Sequence, residues 1–319
     1  MKLAFVGKGG SGKTTLAALF SRYLASEGLP VLAIDADINQ HLGGALGLDD
    51  DAAAALPPLG LEIDRVKEYL RGSNRRIAST SSMVKTTPPG TGSRLLRLCE
   101  DNPISAHFER RADGVRIMAT GPFQESDLGT ACYHSKVGAV ELLLNHLIDG
   151  KGEYVVVDMT AGADSFASGM FTKFDVTFLV AEPTRRSVAV YRQYKDYARD
   201  YEVRISVVGN KVEGPDDLDF LREEVGADLL TWVGRSRFVR AAEKGRPLPF
   251  DELEPSSRRA LEAMLSAADS ARKDWGKQYR QTVELHLRNA RRWANAAAGE
   301  DLGAQVDPDF VLEPDLLRS

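Results

Sequence analysis

The chain has 319 residues, 43% hydrophobic and 27% charged, enough to bury the core of one large α/β domain or two smaller ones. A net charge of −5, no apolar run of membrane-spanning length and no signal-peptide pattern lead to the expectation of a cytoplasmic protein that binds neither nucleic acid nor membrane. Two cysteines, Cys99 and Cys132, are too few for a disulfide framework, so metal, reactivity or burial is the question for each.

Leu3-Ala4-Phe5-Val6 reads as a buried strand, and residues 14–27 read as a helix with Leu16, Leu19, Phe20 and Leu24 on one face. Between them lies Gly7-Lys8-Gly9-Gly10-Ser11-Gly12-Lys13-Thr14-Thr15, which fits the phosphate-binding pattern G-x-x-x-x-G-K-[ST] and adds a second lysine, Lys8. Glycines let backbone N–H groups close around phosphate oxygens, and the helix N-terminus behind them favours an anion. Lys13 is expected on the β- and γ-phosphates and the Thr14 hydroxyl on Mg²⁺, with the rest of the loop, Thr15 included, contacting the nucleotide.

Residues 30–35 form a second buried strand that ends in Ile34-Asp35-Ala36-Asp37. Asp37 lies further into the loop and is assigned to the attacking water; Asp35 is assigned to the metal region. The following residues, Ile38 to Leu42, are the expected first switch. Residues 49–110 lose the strand–helix rhythm. Pro57-Pro58, Ser79–Ser82 and Thr86–Ser93 read as loop, with short helices expected over Asp64–Leu70 and Ser93–Leu98.

Alternation returns with strands at 114–119, 154–158, 176–181, 203–208 and 229–233, and helices at 137–148, 187–199, 216–225 and 237–244. This implies an α/β fold, a mostly parallel twisted sheet with helices on both faces and ligands beyond the carboxyl ends of the strands. Asp158 closes its apolar strand as a second Mg²⁺-site acid. Gly162, in the second switch, can bring a backbone N–H to the γ-phosphate. Glu182-Pro183 and Asn210-Lys211 close two later strands, and the Asn210 amide suits an adenine edge. Residues 254–298 read as one long charged helical arm with Trp275 and Trp293, either packed on its own domain or free for a partner. Residues 299–319 read as a tail. The expected organisation is therefore 1–253, 254–298 and 299–319.

The motifs GKGGSGKTT (7–15), IDAD (34–37), VVVDMTAG (155–162), VAEPTRRS (180–187) and VVGNKV (207–212) resemble those of the deviant Walker A ATPases. These include the MinD and ParA positioning proteins, the ArsA group and the nitrogenase iron protein. Within them the chain is most similar to the CooC-type accessory ATPases for nickel insertion into carbon monoxide dehydrogenase. The resemblance spans residues 1 to about 250 and leaves the 49–110 insert and the arm unexplained. It implies a SIMIBI-type P-loop fold, binding of ATP and ADP with Mg²⁺, and hydrolysis by a homodimer in which Lys8 reaches the partner's nucleotide.

CooC-type proteins carry Cys-x-Cys before a helix, and two such pairs bind one metal in the dimer. Here the stretch is Cys132-Tyr133-His134, half of that thiol pair. Doubled across a two-fold axis it would give a Cys₂His₂ set suited to Zn²⁺, and less clearly to Ni²⁺. Alternatively, Cys132 is a small buried hydrophobe and His134 flanks the helix. Cys99, on an expected helix, reads as core. Two functions stand: an ATP-driven maturation or metal-delivery switch for a client protein, or a non-metal regulatory or positioning ATPase that docks a partner through the insert or the arm. An iron–sulfur reductase would need two suitable cysteines per subunit.

Overall fold

The structure, a computed structural model, describes residues 1–37, 39–122, 133–162 and 169–313, and of residues 133–135 the backbone only. Its strands are β1 (Lys2–Gly7), β2 (Val31–Ala36), β3 (Leu96–Arg97), β4 (Arg110–Ala112), β5 (Val115–Ala119), β6 (Leu147–Ile148), β7 (Tyr154–Met159), β8 (Val176–Ala181), β9 (Ile205–Gly209) and β10 (Leu229–Trp232). The helices are α1 (Lys13–Ser26), α2 (Leu42–Ala45), α3 (Asp50–Ala54), α4 (Ile63–Arg71), α5 (Pro103–Phe108), α6 (Tyr133–His146), α7 (Arg185–Ala198), α8 (Pro215–Val225), α9 (Arg237–Glu243), α10 (Pro255–Asp269), α11 (Trp275–Asn289) and α12 (Asn295–Ala298).

Eight strands form one sheet in the order β10-β9-β8-β1-β7-β2-β5-β4, parallel except for β4 against β5. Side chains alternate across it. Ala4, Val6, Leu32, Ile34, Val155, Val157 and Leu179 pack beneath α4, α6, α7 and α8. Leu3, Phe5, Val31, Ala33, Val156 and Phe178 face α1 and α10. Burial on both faces is why these strands read as unbroken apolar runs. On the α1 side Phe5, Phe20 and Phe178 meet with ring centroids 5.4–6.0 Å apart. Phe20→Ala would leave a cavity there costing about 3–5 kcal/mol.

β1 lies between β7 and β8; the chain crosses from it to β2 on one side and later runs through β8, β9 and β10 on the other. That reversal opens a crevice at the carboxyl ends of the strands. Register carries the acids into it: Phe5 pairs with Asp158, Asp158 with Asp35, and Gly7 with Val180.

Four expectations are corrected. Residues 93–98 are not a helix, because Leu96–Arg97 pairs in parallel with Leu147–Ile148 as a separate small sheet. Cys99 is exposed in a turn rather than buried on a helix; partial burial of the thiol and the Glu153 carboxylate push its pKa up to about 11. The arm is not one helix: α10 ends at Asp269, and Asp274 restarts the chain as α11 by accepting a hydrogen bond from the Lys277 N–H at 2.8 Å. Between them Lys273 pairs with Asp149 and, at 2.8 Å, with Asp175. Finally, residues 302–312 are docked rather than a loose tail. Gln305 donates to the Ser82 carbonyl (2.9 Å) and accepts from Thr87 (3.1 Å), and Asp307 accepts from the Thr91 N–H (2.9 Å). His286 of α11 lies between Thr86 (3.3 Å) and the Leu302 carbonyl (2.9 Å).

Candidate nucleotide-binding and catalytic site

The loop after β1 is shaped by close approaches. A Cβ at Gly7 (φ +155°) would lie 2.5 Å from the Val180 carbonyl oxygen, and one at Gly12 (φ +92°) 2.2 Å from Asn210 Nδ2. Gly12 is the N-cap of α1, with no side-chain cap and no acid in the first turn, so the helix presents free N–H groups and the positive end of its dipole to the loop. This is an anion cradle.

Lys13, Thr14, Asp37 and Asp158 converge at its floor. Lys13 Nζ lies 2.6 Å from Asp37 Oδ2 and 3.9 Å from Asp158 Oδ1, with its side chain only 10% exposed. The Thr14 hydroxyl donates to Asp158 Oδ2 at 2.6 Å. Asp158 is wholly buried; burial, opposed by Lys13 and reinforced by Asp35, raises its carboxyl pKa to about 7. Its Oδ1 and the Ser11 hydroxyl oxygen are buried with no hydrogen-bond partner among the described residues. A hydroxyl beside an acid with an open oxygen fits a hard divalent cation on a bound phosphate. Thr14 and Asp158 would therefore hold Mg²⁺, which when bound offsets the charge of the phosphate oxygens.

Asp35 has a task that sequence reasoning missed. Its Oδ1 accepts from the Asp37 N–H (3.1 Å) and its Oδ2 from the Leu42 N–H (2.8 Å), closing the loop between them on itself. Burial raises its pKa to about 6, against these two N–H donors. A buried acid seven residues before the N-terminus of a short helix is the signal that was available. Asp37 in turn accepts from the Asn39 backbone and side-chain amides, both at 3.1 Å.

The outer rim comes from the ends of β8 and β9. Asn210 Nδ2 donates to the Ser11 carbonyl at 2.7 Å, and its Oδ1 accepts from the Lys211 N–H at 2.9 Å. Lys211, a non-glycine residue at φ +59°, donates from Nζ to the Gly10 carbonyl at 2.7 Å, and Lys8 Nζ lies 3.4 Å from the Gly9 carbonyl. Three successive carbonyls are thus engaged by side chains, which favours turning the N–H groups of the loop the other way. Asn210, the residue expected to meet the adenine edge, also buttresses the phosphate loop. Glu182 Oε1 pairs with Lys211 at 2.7 Å, and Oε2 lies 4.0 Å from Lys8. Pro183 follows Glu182 at the crevice edge, half-buried.

Across the cradle, Ala161 lies 3.8 Å from where a Gly9 Cβ would stand, so the expected second switch abuts the loop. Gly162 (φ +79°) accepts a hydrogen bond from the Tyr194 hydroxyl at 3.2 Å. Thr15 continues α1 half-buried. Cys132 and the His134 side chain lie outside the described residues, and Ile38 of the first switch does too. Among the described residues no cluster of three His, Cys, Asp or Glu side chains suits a metal ion, and no helix is long and apolar enough to cross a membrane.

The chain is 28% identical over 269 residues to the carbon monoxide dehydrogenase accessory protein CooC of Rhodospirillum rubrum, covering 84% of this chain and 95% of that one. Its fold is similar to that of the septum site-determining protein MinD of Pyrococcus horikoshii, complexed with Mg-ADP (TM-score 0.55, 15% identity, 84% and 96% covered). It is also similar to the Aquifex aeolicus MinC:MinD cell division complex (TM-score 0.53, 17% identity, 86% and 97% covered). The family model of the CobQ/CobB/MinD/ParA nucleotide-binding domain matches residues 3–248, the span that carries the phosphate loop, Asp35, Asp37, Asp158 and the Asn210–Lys211 brace, and the chain belongs to that family of P-loop ATPases.

Proposed function

We propose that this ATPase is a Mg²⁺-dependent switch: two copies close on two ATP molecules, engage a client protein in that state and separate after hydrolysis. The client role is an accessory or maturation one, as the likeness to the Rhodospirillum rubrum accessory protein suggests. The supporting observation is the contrast between two lysines on one loop. The Lys13 side chain is 10% exposed and paired with Asp37 inside its own subunit, whereas that of Lys8 is 37% exposed and, among the described residues, held by contacts of 3.4 and 4.0 Å. A loosely held cation on the open rim suits charge neutralisation on a neighbouring molecule, the part played elsewhere by an arginine finger.

Within one subunit, Lys13 binds the β- and γ-phosphates, Thr14 and Asp158 hold the cation, and Asp37 orients the attacking water once Lys13 has turned to phosphate. Asp35 keeps the loop that carries Asp37 in shape. The test is sedimentation of the full chain with Mg²⁺ and a non-hydrolysable ATP analogue. Dimers with the analogue and monomers with ADP support the switch; weaker but still measurable dimerisation in Lys8→Ala, with monomer nucleotide binding spared, places Lys8 at the shared site. A monomer under all conditions refutes it. Metal analysis of that dimer decides the cargo. One Zn²⁺ or Ni²⁺ per two chains, lost in Cys132→Ser, supports metal delivery through Cys132 and His134; no stoichiometric metal leaves the regulatory, partner-docking alternative.

A further inference from the structure

Glu182 stands between two ammonium groups that hold it unequally. Its backbone is fixed: the Glu182 N–H donates to the Ser187 hydroxyl (3.0 Å), and its carbonyl accepts from the Thr184 N–H (2.7 Å). The carboxylate makes a hydrogen-bonded ion pair with Lys211 at 2.7 Å, and Lys211 is itself anchored on the Gly10 carbonyl. The other oxygen lies 4.0 Å from Lys8 Nζ, an attraction without a hydrogen bond. All three side chains are partly exposed, so the weaker pair shifts an equilibrium by no more than about fivefold.

We infer that Glu182 is a positioning residue that holds Lys8 on its own subunit, and that Lys211 sets the strength of this hold by sharing the same carboxylate. The inference rests on the proposed reading of Lys8 as the group that acts on the second copy's nucleotide. When Lys8 swings away, Glu182 keeps its pair with Lys211, so no charge is orphaned and the departure costs little. Without Lys211 the whole attraction of Glu182 falls on Lys8, and departure costs more. The two neighbours therefore act on Lys8 with opposite sign. A purely structural rim would not have that property.

The experiment is the monomer–dimer dissociation constant of the full chain with Mg²⁺ and a non-hydrolysable ATP analogue, measured in a cycle of variants. Glu182→Gln is expected to tighten the dimer and Lys211→Gln to loosen it, each by up to about fivefold, the size of a surface ion pair. The double variant should return to the Glu182→Gln value. Lys211→Gln also loses its contact with Gly10, so each variant is repeated with Lys8→Ala. Whatever persists without Lys8 belongs to the loop, and the inferred effect must vanish there. Shifts of the same sign, or shifts unaltered by Lys8→Ala, overturn the role of Glu182 and leave the ATP-driven dimer standing. A wild-type chain that stays monomeric overturns both.

Discussion

Lys13 and Asp37 form a 2.6 Å ion pair in which the lysine side chain is 10% and the aspartate side chain 7% exposed, so the charge proposed to bind phosphate and the acid proposed to orient water hold each other. In the proposed function, phosphate and Asp37 compete for one ammonium. Asp37→Asn removes the competitor's charge and keeps its shape. The variant is expected to bind ATP at least as tightly as wild type and to hydrolyse it about 10²–10⁴-fold more slowly, the usual size of a general-base contribution. Single-turnover kinetics check this, and an unchanged rate takes Asp37 out of the mechanism. Lys13→Ala should lose nucleotide binding and turnover together.

The cation-holding role proposed for Thr14 and Asp158 can be separated from nucleotide binding by one substitution. In Asp158→Asn the Thr14 hydroxyl keeps a partner in the amide, but the site loses its buried negative charge. The Mg²⁺ concentration for half-maximal turnover should rise at least about tenfold, equivalent to 1.4 kcal/mol, while ADP affinity without Mg²⁺ changes little or improves. A Mg²⁺ titration of turnover at saturating ATP measures it. An unshifted midpoint would show that Asp158 does not serve the cation.

The frame of this site was legible because its signals are local. Parallel strands buried on both faces appear as apolar runs, and the glycine loop, Asp37, Asp158 and Asn210 each close one. What was not legible depends on pairing at a distance. Leu95, Leu96 and Leu98 have spacing that suits a helix, yet Leu96 and Arg97 are drawn into a ladder with Leu147 and Ile148. No glycine or proline marks the break between α10 and α11, where Lys273 reaches acids at 149 and 175. Asp35 reads as a metal-site acid from its place at a strand end, but the backbone N–H groups of residues 37 and 42 are turned onto it. Residues 302–312 look like a tail because every partner they have lies far away in sequence.

That docked segment predicts a stability effect distant from the nucleotide. Gln305 is 3% exposed and bridges Ser82 and Thr87 across the insert. Gln305→Ala leaves a buried carbonyl and a buried hydroxyl without this partner, a loss of about 1–3 kcal/mol. Urea unfolding should show a lower midpoint. Hydrolysis per folded molecule should stay near wild type, because among the described residues the hydrogen bonds of Gln305 go to Ser82 and Thr87, outside the crevice. Equal midpoints would mean that the segment contributes nothing to the fold.

Glu141 of α6 makes stability depend on pH in a way that one substitution can isolate. It is fully buried, neither carboxylate oxygen has a hydrogen-bond partner among the described residues, and the nearest cation, Lys85 Nζ, is 3.9 Å away. Burial lifts its pKa from 4.5 to about 7, against the pull of Lys85 and Lys173. The folded chain therefore keeps this proton up to about pH 7, whereas the unfolded chain releases it near 4.5. Folding takes up a proton in that window, so stability falls as pH rises through it and this contribution levels off above pH 7. The full span is about 3 kcal/mol at most. Lys173, lowered by burial to about 8, changes charge above the window. Glu141→Gln imitates the protonated acid at every pH. It should match wild type near pH 4.5 and exceed it by up to about 3 kcal/mol at pH 7.5, read from urea unfolding at the two values. An equal difference at both would mean that Glu141 does not titrate in this range.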